Sequence, residues 1–239
     1  MIKHYPISNQ AYGEFNGGDI IENKPLGFPQ DGGELKPYSN LFYWAHASAK
    51  KDSMIGLHPH RGFEIMSIVL EGKIQHYDTL LKSWIPLKKG DVQLIQSGSG
   101  ISHAEAMEES SEIFQIWFNP DLRKTMNSPA RYIDVKRQDL PQNKNITTIV
   151  GTRSPINLES EKIEITEIAI EIGDFEITIE DDYYYSFYLI QGELKIQQVS
   201  VHKDDFFIVE DMKLLKYEVL VNGRMLCIKS PVTASYPVY

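Results

Sequence analysis

The sequence lacks the marks of several protein classes. One of its 239 residues is cysteine, Cys227, inside the apolar run 225–228. No internal disulfide can form, and a lone thiol in such a run suits a packed core in a reducing compartment. No stretch approaches the ~18 consecutive apolar residues of a membrane-spanning helix. No apolar segment of the secretory type follows Met1-Ile2-Lys3-His4. A cytoplasmic protein without membrane attachment is the expectation. Basic residues are outnumbered, 24 Lys and Arg against 33 Asp and Glu, for a net charge of −9. Direct nucleic-acid binding needs a basic face and is set aside, whereas a protein partner stays open. Helix-period patterns are absent. Gly98-Ser99-Gly100 precedes a β-prone stretch rather than a helix, so it is not a phosphate-binding loop, and no nucleophile elbow occurs.

What is present is alternation of period two. Strands are predicted at 63–70, 74–78, 84–87, 92–95, 101–107 and 113–118, separated by turns such as Glu71-Gly72-Lys73 and Lys88-Lys89-Gly90-Asp91. A second set runs from Ile163 to Ile228, and a single change of phase between Ile165 and Ile168 predicts a bulge there. Short strands at this spacing indicate an all-β sandwich or barrel. The first 40 residues, rich in Gly, Pro, Asn and Asp, read as irregular loops with one short strand. The expected organisation is a first domain over 1–125 including this arm, a proline-punctuated connection over 126–162, and a second domain over 163–239 with its tail packed back on the body.

The halves echo each other. Residues 68–74 (IVLEGKI) align with 188–194 (YLIQGEL), and 89–95 (KGDVQLI) with 203–209 (KDDFFIV). The order and similar spacing imply two copies of one β unit.

Histidines are concentrated in the first copy. His58-Pro59-His60 and His103-Ala104-Glu105 each set two metal-capable side chains two residues apart, on one face of a strand. Three imidazoles and a carboxylate suit a divalent first-row metal (Fe, Mn, Ni, Cu or Zn) with positions left open for substrate, O2 or water. Carried across the repeat, these positions fall on Thr178, Glu180, Tyr217 and Val219, so the second copy lacks the set. Glu64 shares strand parity with Met66, Ile68 and Leu70, a face expected to line the barrel interior, where it could ligate or hold a histidine proton. His46 reads as a core histidine or an outer partner of the site. His76 reads as a residue of the cleft mouth or an exposed one.

Residues 58–64 (HPHRGFE), 69–72 (VLEG), 90–93 (GDVQ) and 98–105 (GSGISHAE) together resemble the pirin family of the cupin superfamily. The resemblance is densest over 56–118 and looser in the second half. It implies a bicupin, two tandem cupin domains of jelly-roll β-barrel type, with a metal, usually Fe(II), in the first. The matching ligand positions are His58, His60, His103 and Glu105. It also implies two functions: quercetin 2,3-dioxygenase, opening a flavonol ring with O2 and releasing carbon monoxide, or metal-containing co-regulation of transcription through a protein partner. In the first, a small aromatic substrate such as a flavonol would bind the metal and Glu105 would take its hydroxyl proton. A bicupin acting on another small molecule is the third reading, because one fold hosts several chemistries.

Overall fold

The alternating segments form three antiparallel sheets in the computed structural model, which describes residues 1–239. A seven-stranded sheet runs in the order Arg131–Val135, Val92–Gln96, Glu64–Glu71, Glu112–Phe118, Leu41–Ala49, Ile20–Leu26 and Ala11–Phe15. A four-stranded sheet runs Ser53–His60, Ile101–Met107, Lys73–Asp78 and Trp84–Lys88. These two face each other around Ile55, Ile74, Leu87 and Met107 from one side and Val69, Ile113 and Ala47 from the other, forming the first barrel. A nine-stranded sheet, built mostly from 146–231, curls around Phe187, Leu189, Phe207, Leu215 and Met225 to form the second. The chain is thus an all-β bicupin. Its α-helix is the single turn Leu122–Thr125, and no helix is long and apolar enough to cross a membrane.

The seven-stranded sheet is buried on both faces, and parity divides its work. Ile65, Ser67 and Val69 point into the first barrel, whereas Met66, Ile68 and Leu70 point at the second. The face expected to line the barrel interior is therefore the interface between the barrels. There Trp44, Phe114 and Ile116 meet Tyr188, Phe206, Leu226 and Ile228 in one apolar cluster. Trp44 packs edge-on to Phe114 and Phe206 at 5.5 and 5.3 Å, and Phe114 edge-on to Tyr188 at 4.8 Å, arrangements that suit the aromatic quadrupole.

The phase change after Ile165 has the same origin. The strand Glu164–Ile170 pairs without a slip against 223–229, and the extra residue lies on its other neighbour, between Thr148 and Val150. Ile163 and Ile165 serve the interface, Ile168 and Ile170 the second barrel's interior. An apolar switch of face, not a bulge in this strand, makes the pattern.

The two copies share more than outline. Val69 N and Gly90 N bond reciprocally to Asp91 O and Val69 O at 3.0 and 2.8 Å. Leu189 N and Asp204 N do the same with Asp205 O and Leu189 O, at 3.0 and 2.8 Å. The turn glycines Gly72 and Gly192 both take positive φ, 71° and 106°, and a β-carbon at either would collide with Ser111 or with the carbonyl of Val221.

The ends cross between barrels. The arm contains three strands rather than one: Ala11–Phe15 and Ile20–Leu26 extend the seven-stranded sheet, while Ile2–Tyr5 pairs with Phe206–Val209 of the second barrel. Of the segment 126–162, Arg131–Val135 pairs with Val92–Gln96 and Ile146–Val150 with Glu164–Ile170, one strand to each barrel. The tail returns to the first barrel, where the Tyr236 hydroxyl donates to Asn119 O at 2.9 Å. Loop-rich composition hid the local hairpin Ala11–Phe15/Ile20–Leu26, and Ile2–Tyr5 has its partner far along the chain.

His46 lies in the interface, not in the cleft. Its Nδ1 is 3.0 Å from the Tyr188 hydroxyl and 3.4 Å from Asp204, and its Nε2 is 3.2 Å from Glu112. Burial opposes its charge, but the hydrogen bonds to Asp204 and Glu112 prevail and raise its pKa above the usual imidazole value. A pKa raised on folding stabilises fully below the unfolded value of about 6.5 and is lost as pH rises through the folded value.

Two outcomes follow from this interface. Replacing Phe114 by alanine should cost about 3–5 kcal/mol in urea unfolding while wild-type barrels unfold in one transition; two separate wild-type transitions would contradict a shared core. The stability gap between wild type and His46→Gln should be widest near pH ~6 and narrow above the raised pKa; a gap unchanged to alkaline pH would remove the ionic role.

Candidate metal centre

The four-stranded sheet aims its inner face at one end of the first barrel. His103 sits directly opposite His58 across the strand pair, and Ile101 opposite His60. An extra residue on the Ser53–His60 strand, between Ile55 and His58, restores the register toward Glu105. The three imidazoles converge, with ring centroids 4.4 Å (His58–His103), 4.7 Å (His58–His60) and 4.7 Å (His60–His103) apart. One ring nitrogen from each lies within 4.8 Å of the others. Nε2 of His60 and Nε2 of His103 are 2.9 Å apart, so one protonated nitrogen faces one lone pair. His58 donates from Nδ1 to Gly56 O at 2.7 Å, which leaves its Nε2 free to coordinate. Burial, then the charges of neighbouring histidines, lower the pKa of His60 and of His103 to about 3. Neutral imidazoles with convergent lone pairs are what a divalent cation requires, and without one they are costly to bury together.

Glu105 is fully buried next to this trio but does not join it. Its Oε1 accepts from Ser67 Oγ at 3.0 Å and its Oε2 from Gln115 Nε2 at 2.7 Å. The Gln115 Oε1 accepts in turn from Trp117 Nε1 at 3.1 Å, and the Trp117 ring stands edge-on to His60 at 4.7 Å. The structure therefore brings three of the four expected ligands together and holds the fourth beside them on two donors.

Glu64 is elsewhere. The chain leaves the four-stranded sheet at Gly62, with φ 85°, and enters the seven-stranded one, so Glu64 does not share a face with His58 and His60. Its carboxylate accepts from Gln96 Nε2, from the backbone N–H of Glu159 and Ser160, and from Ser160 Oγ, at 2.6–2.8 Å. It anchors the connection between barrels. His76 is fully buried instead of exposed or at the mouth, with Nε2 2.8 Å from Asp78 and its ring stacked on Tyr132 at 4.8 Å. His76 and Asp78 lie on the strand next to His103, opposite Glu105 and His103 respectively.

Sequence reasoning missed Asp78, Gln115, Trp117 and Tyr132. His76-Tyr77-Asp78 carried a signal, the same two-residue spacing as the other pairs. Gln115 and Trp117 share it but sit in a strand that reads as core. An aromatic cluster adjoins His60: Trp117 contacts Phe28, Tyr43 and Phe63 with centroids at 5.2–5.5 Å, and Phe42 stacks on Phe63 at 4.7 Å. A cavity of about 510 Å³ lined by Pro59, His60, Arg61, Thr79 and Ser102 opens beside the trio.

Comparison with known proteins agrees with this architecture. Residues 28–118 match the family model described as Pirin. The chain is 39% identical over 172 residues to the Quercetin 2,3-dioxygenase of Escherichia coli K12, covering 70% of this chain and 62% of that protein. It is 25% identical over 183 residues to the Pirin-like protein of Caulobacter vibrioides, covering 71% and 66%. Thus it spans just under two thirds of the length of each. The crystal structure of YhhW from Escherichia coli superposes over all of both chains with a TM-score of 0.81 at 17% identity. Bacterial pirin YhhW in complex with nickel(II) superposes with a TM-score of 0.80 at 18% identity, covering 97% of this chain and 99% of that one. The matched segment forms most of the first barrel, so the chain is similar to the pirin family there, and its fold matches that of the pirin structures over both barrels.

Proposed function

We propose that the protein is a metal-dependent oxygenase of the quercetin 2,3-dioxygenase type, acting on a flavonol-like substrate. The observation that carries this reading is the convergence of His58, His60 and His103, with nitrogens within 4.8 Å, beside the buried carboxylate of Glu105. The name of the Escherichia coli relative supplies the reaction class. His58, His60 and His103 would hold a divalent metal, Fe(II) in this reading, with Glu105 as the further ligand. When bound, that ion supplies a Lewis acid for adjacent hydroxyl and keto oxygens and a redox partner for O2.

The chain's own residues do the rest. Ser67 and Gln115 both donate to Glu105, which leaves the carboxylate an acceptor suited to taking the substrate's hydroxyl proton. Releasing Glu105 from Gln115 would also disturb Trp117, because one amide serves both. The ring of Trp117, with Phe63 and Phe42 behind it, forms a flat apolar wall beside His60. A planar polyphenol could lie against it while its polar edge reaches the histidines. Burial of His103 and Glu105 excludes bulk water from the reacting atoms.

Purified protein reconstituted with Fe(II) should consume quercetin in the presence of O2 and release carbon monoxide. Glu105→Gln should lower turnover by about 10²–10⁴-fold, the range for loss of a general base. His103→Ala should abolish both turnover and metal retention. Absence of quercetin loss across Fe(II), Ni(II), Mn(II), Cu(II) and Zn(II) reconstitutions would overturn the assignment.

A further inference from the structure

The first barrel's interior holds polar atoms that no protein group satisfies. His103 Nδ1, His76 Nδ1, both amide atoms of Gln93 and the Tyr132 hydroxyl are buried without a hydrogen-bond partner. A protein core seldom leaves such atoms unpaired, and several at once mark a hydrated pocket rather than a dry one. Two of them, the Nδ1 atoms of His76 and His103, belong to residues on adjacent paired strands. The rings of His76 and His103 have centroids 5.6 Å apart, and each leaves its Nδ1 without a protein partner.

The polarity along this line is complementary. Asp78 Oδ1 is fixed by the backbone N–H of Leu80 and Leu81 at 2.8 and 2.6 Å, and Oδ2 faces His76 Nε2 at 2.8 Å. An ionised carboxylate only accepts, so His76 carries its proton on Nε2 and shows a bare lone pair at Nδ1. Across the gap, His103 must keep Nε2 free of a proton to coordinate, which puts its proton on Nδ1. The two unpartnered Nδ1 atoms thus offer one acceptor and one donor on neighbouring rings. The stacked Tyr132 ring, 15° from parallel, fixes the plane of His76.

We propose that His76 is a positioning residue for the metal centre: with Asp78 and one buried water it forms the line Asp78–His76–water–His103, which fixes the tautomer and orientation of His103. The inference rests on the metal-binding reading above, but the line exists in the metal-free protein. In that state the proposed line makes His60 Nε2 the donor and His103 Nε2 the acceptor across the 2.9 Å that separates them. Asp78 and His76 take no part in the chemistry on substrate. They act only through His103, as partners of metal-bound histidines do elsewhere.

The test combines tautomers and affinity. In metal-free wild-type protein, 15N-resolved NMR of the imidazoles should show His103 protonated at Nδ1 and His76 at Nε2. A high-resolution structure should show one water between the two Nδ1 atoms. His76→Phe keeps the ring stacked on Tyr132 but removes both nitrogens. It should weaken Ni(II) binding, measured by chelator competition on the folded protein, by about 10–100-fold, and should mix the His103 tautomers. His76→Asn offers an acceptor near the Nδ1 position and should recover part of the affinity. His103 protonated at Nε2 in wild type, or His76→Phe binding Ni(II) as wild type does, would overturn the proposal. Wild-type protein that binds no Ni(II) would instead overturn the metal reading, and the tautomers would still decide the line.

Discussion

A β-sheet buried on both faces must assign every side chain to one of two interiors, and this molecule is built on such a sheet. Odd-numbered residues of the strand Glu64–Glu71 serve the first barrel and even-numbered ones serve the contact with the second. The apolar interface of Trp44, Phe114 and Tyr188 therefore needs no space in the first barrel. That interior is free to hold polar groups, which is where Glu105, Gln115, Ser67 and Gln93 are found. The second barrel makes the opposite use of the same design. Tyr217 and Val219, at the positions matching His103 and Glu105, belong to its apolar core. One barrel thus gathers the buried polar groups, and the other covers the back of its sheet.

The strands and the repeat were legible because period-two alternation and glycine turns are local. Residues 68–74 and 188–194 align in sequence, and the reciprocal hydrogen bonds of Val69 and Leu189 repeat that alignment. The His58–His60 and His103–Glu105 pairs were legible for the same reason. Direction was not. Alternation says that Met66, Ile68 and Leu70 share a face, but two apolar faces look the same from sequence. Glu64 went with the wrong interior on that account. The arm failed for a different cause: Ile2–Tyr5 is a strand only because Phe206–Val209 lies beside it, a pairing no local signal encodes.

The polar interior also explains which histidines serve which purpose. His46 has an acceptor at each ring nitrogen and favours its charged form. His60 and His103 have each other and no carboxylate bonded to them, so burial drives them to the neutral form. Residue type is the same in both places. The difference lies in whether a carboxylate hydrogen-bonds the ring and favours its protonated form, or the ring stays neutral with a lone pair, as a metal ligand must be.

We propose that His58, His60 and His103 bind one metal ion inside the first barrel. Anomalous diffraction from crystals of the protein loaded with Ni(II) tests it most directly. An ion held by the trio gives a single strong peak per chain, at about 2.0–2.2 Å from one nitrogen of each of the three histidines. A peak at His4 or His202 instead, or none in the first barrel, would contradict it.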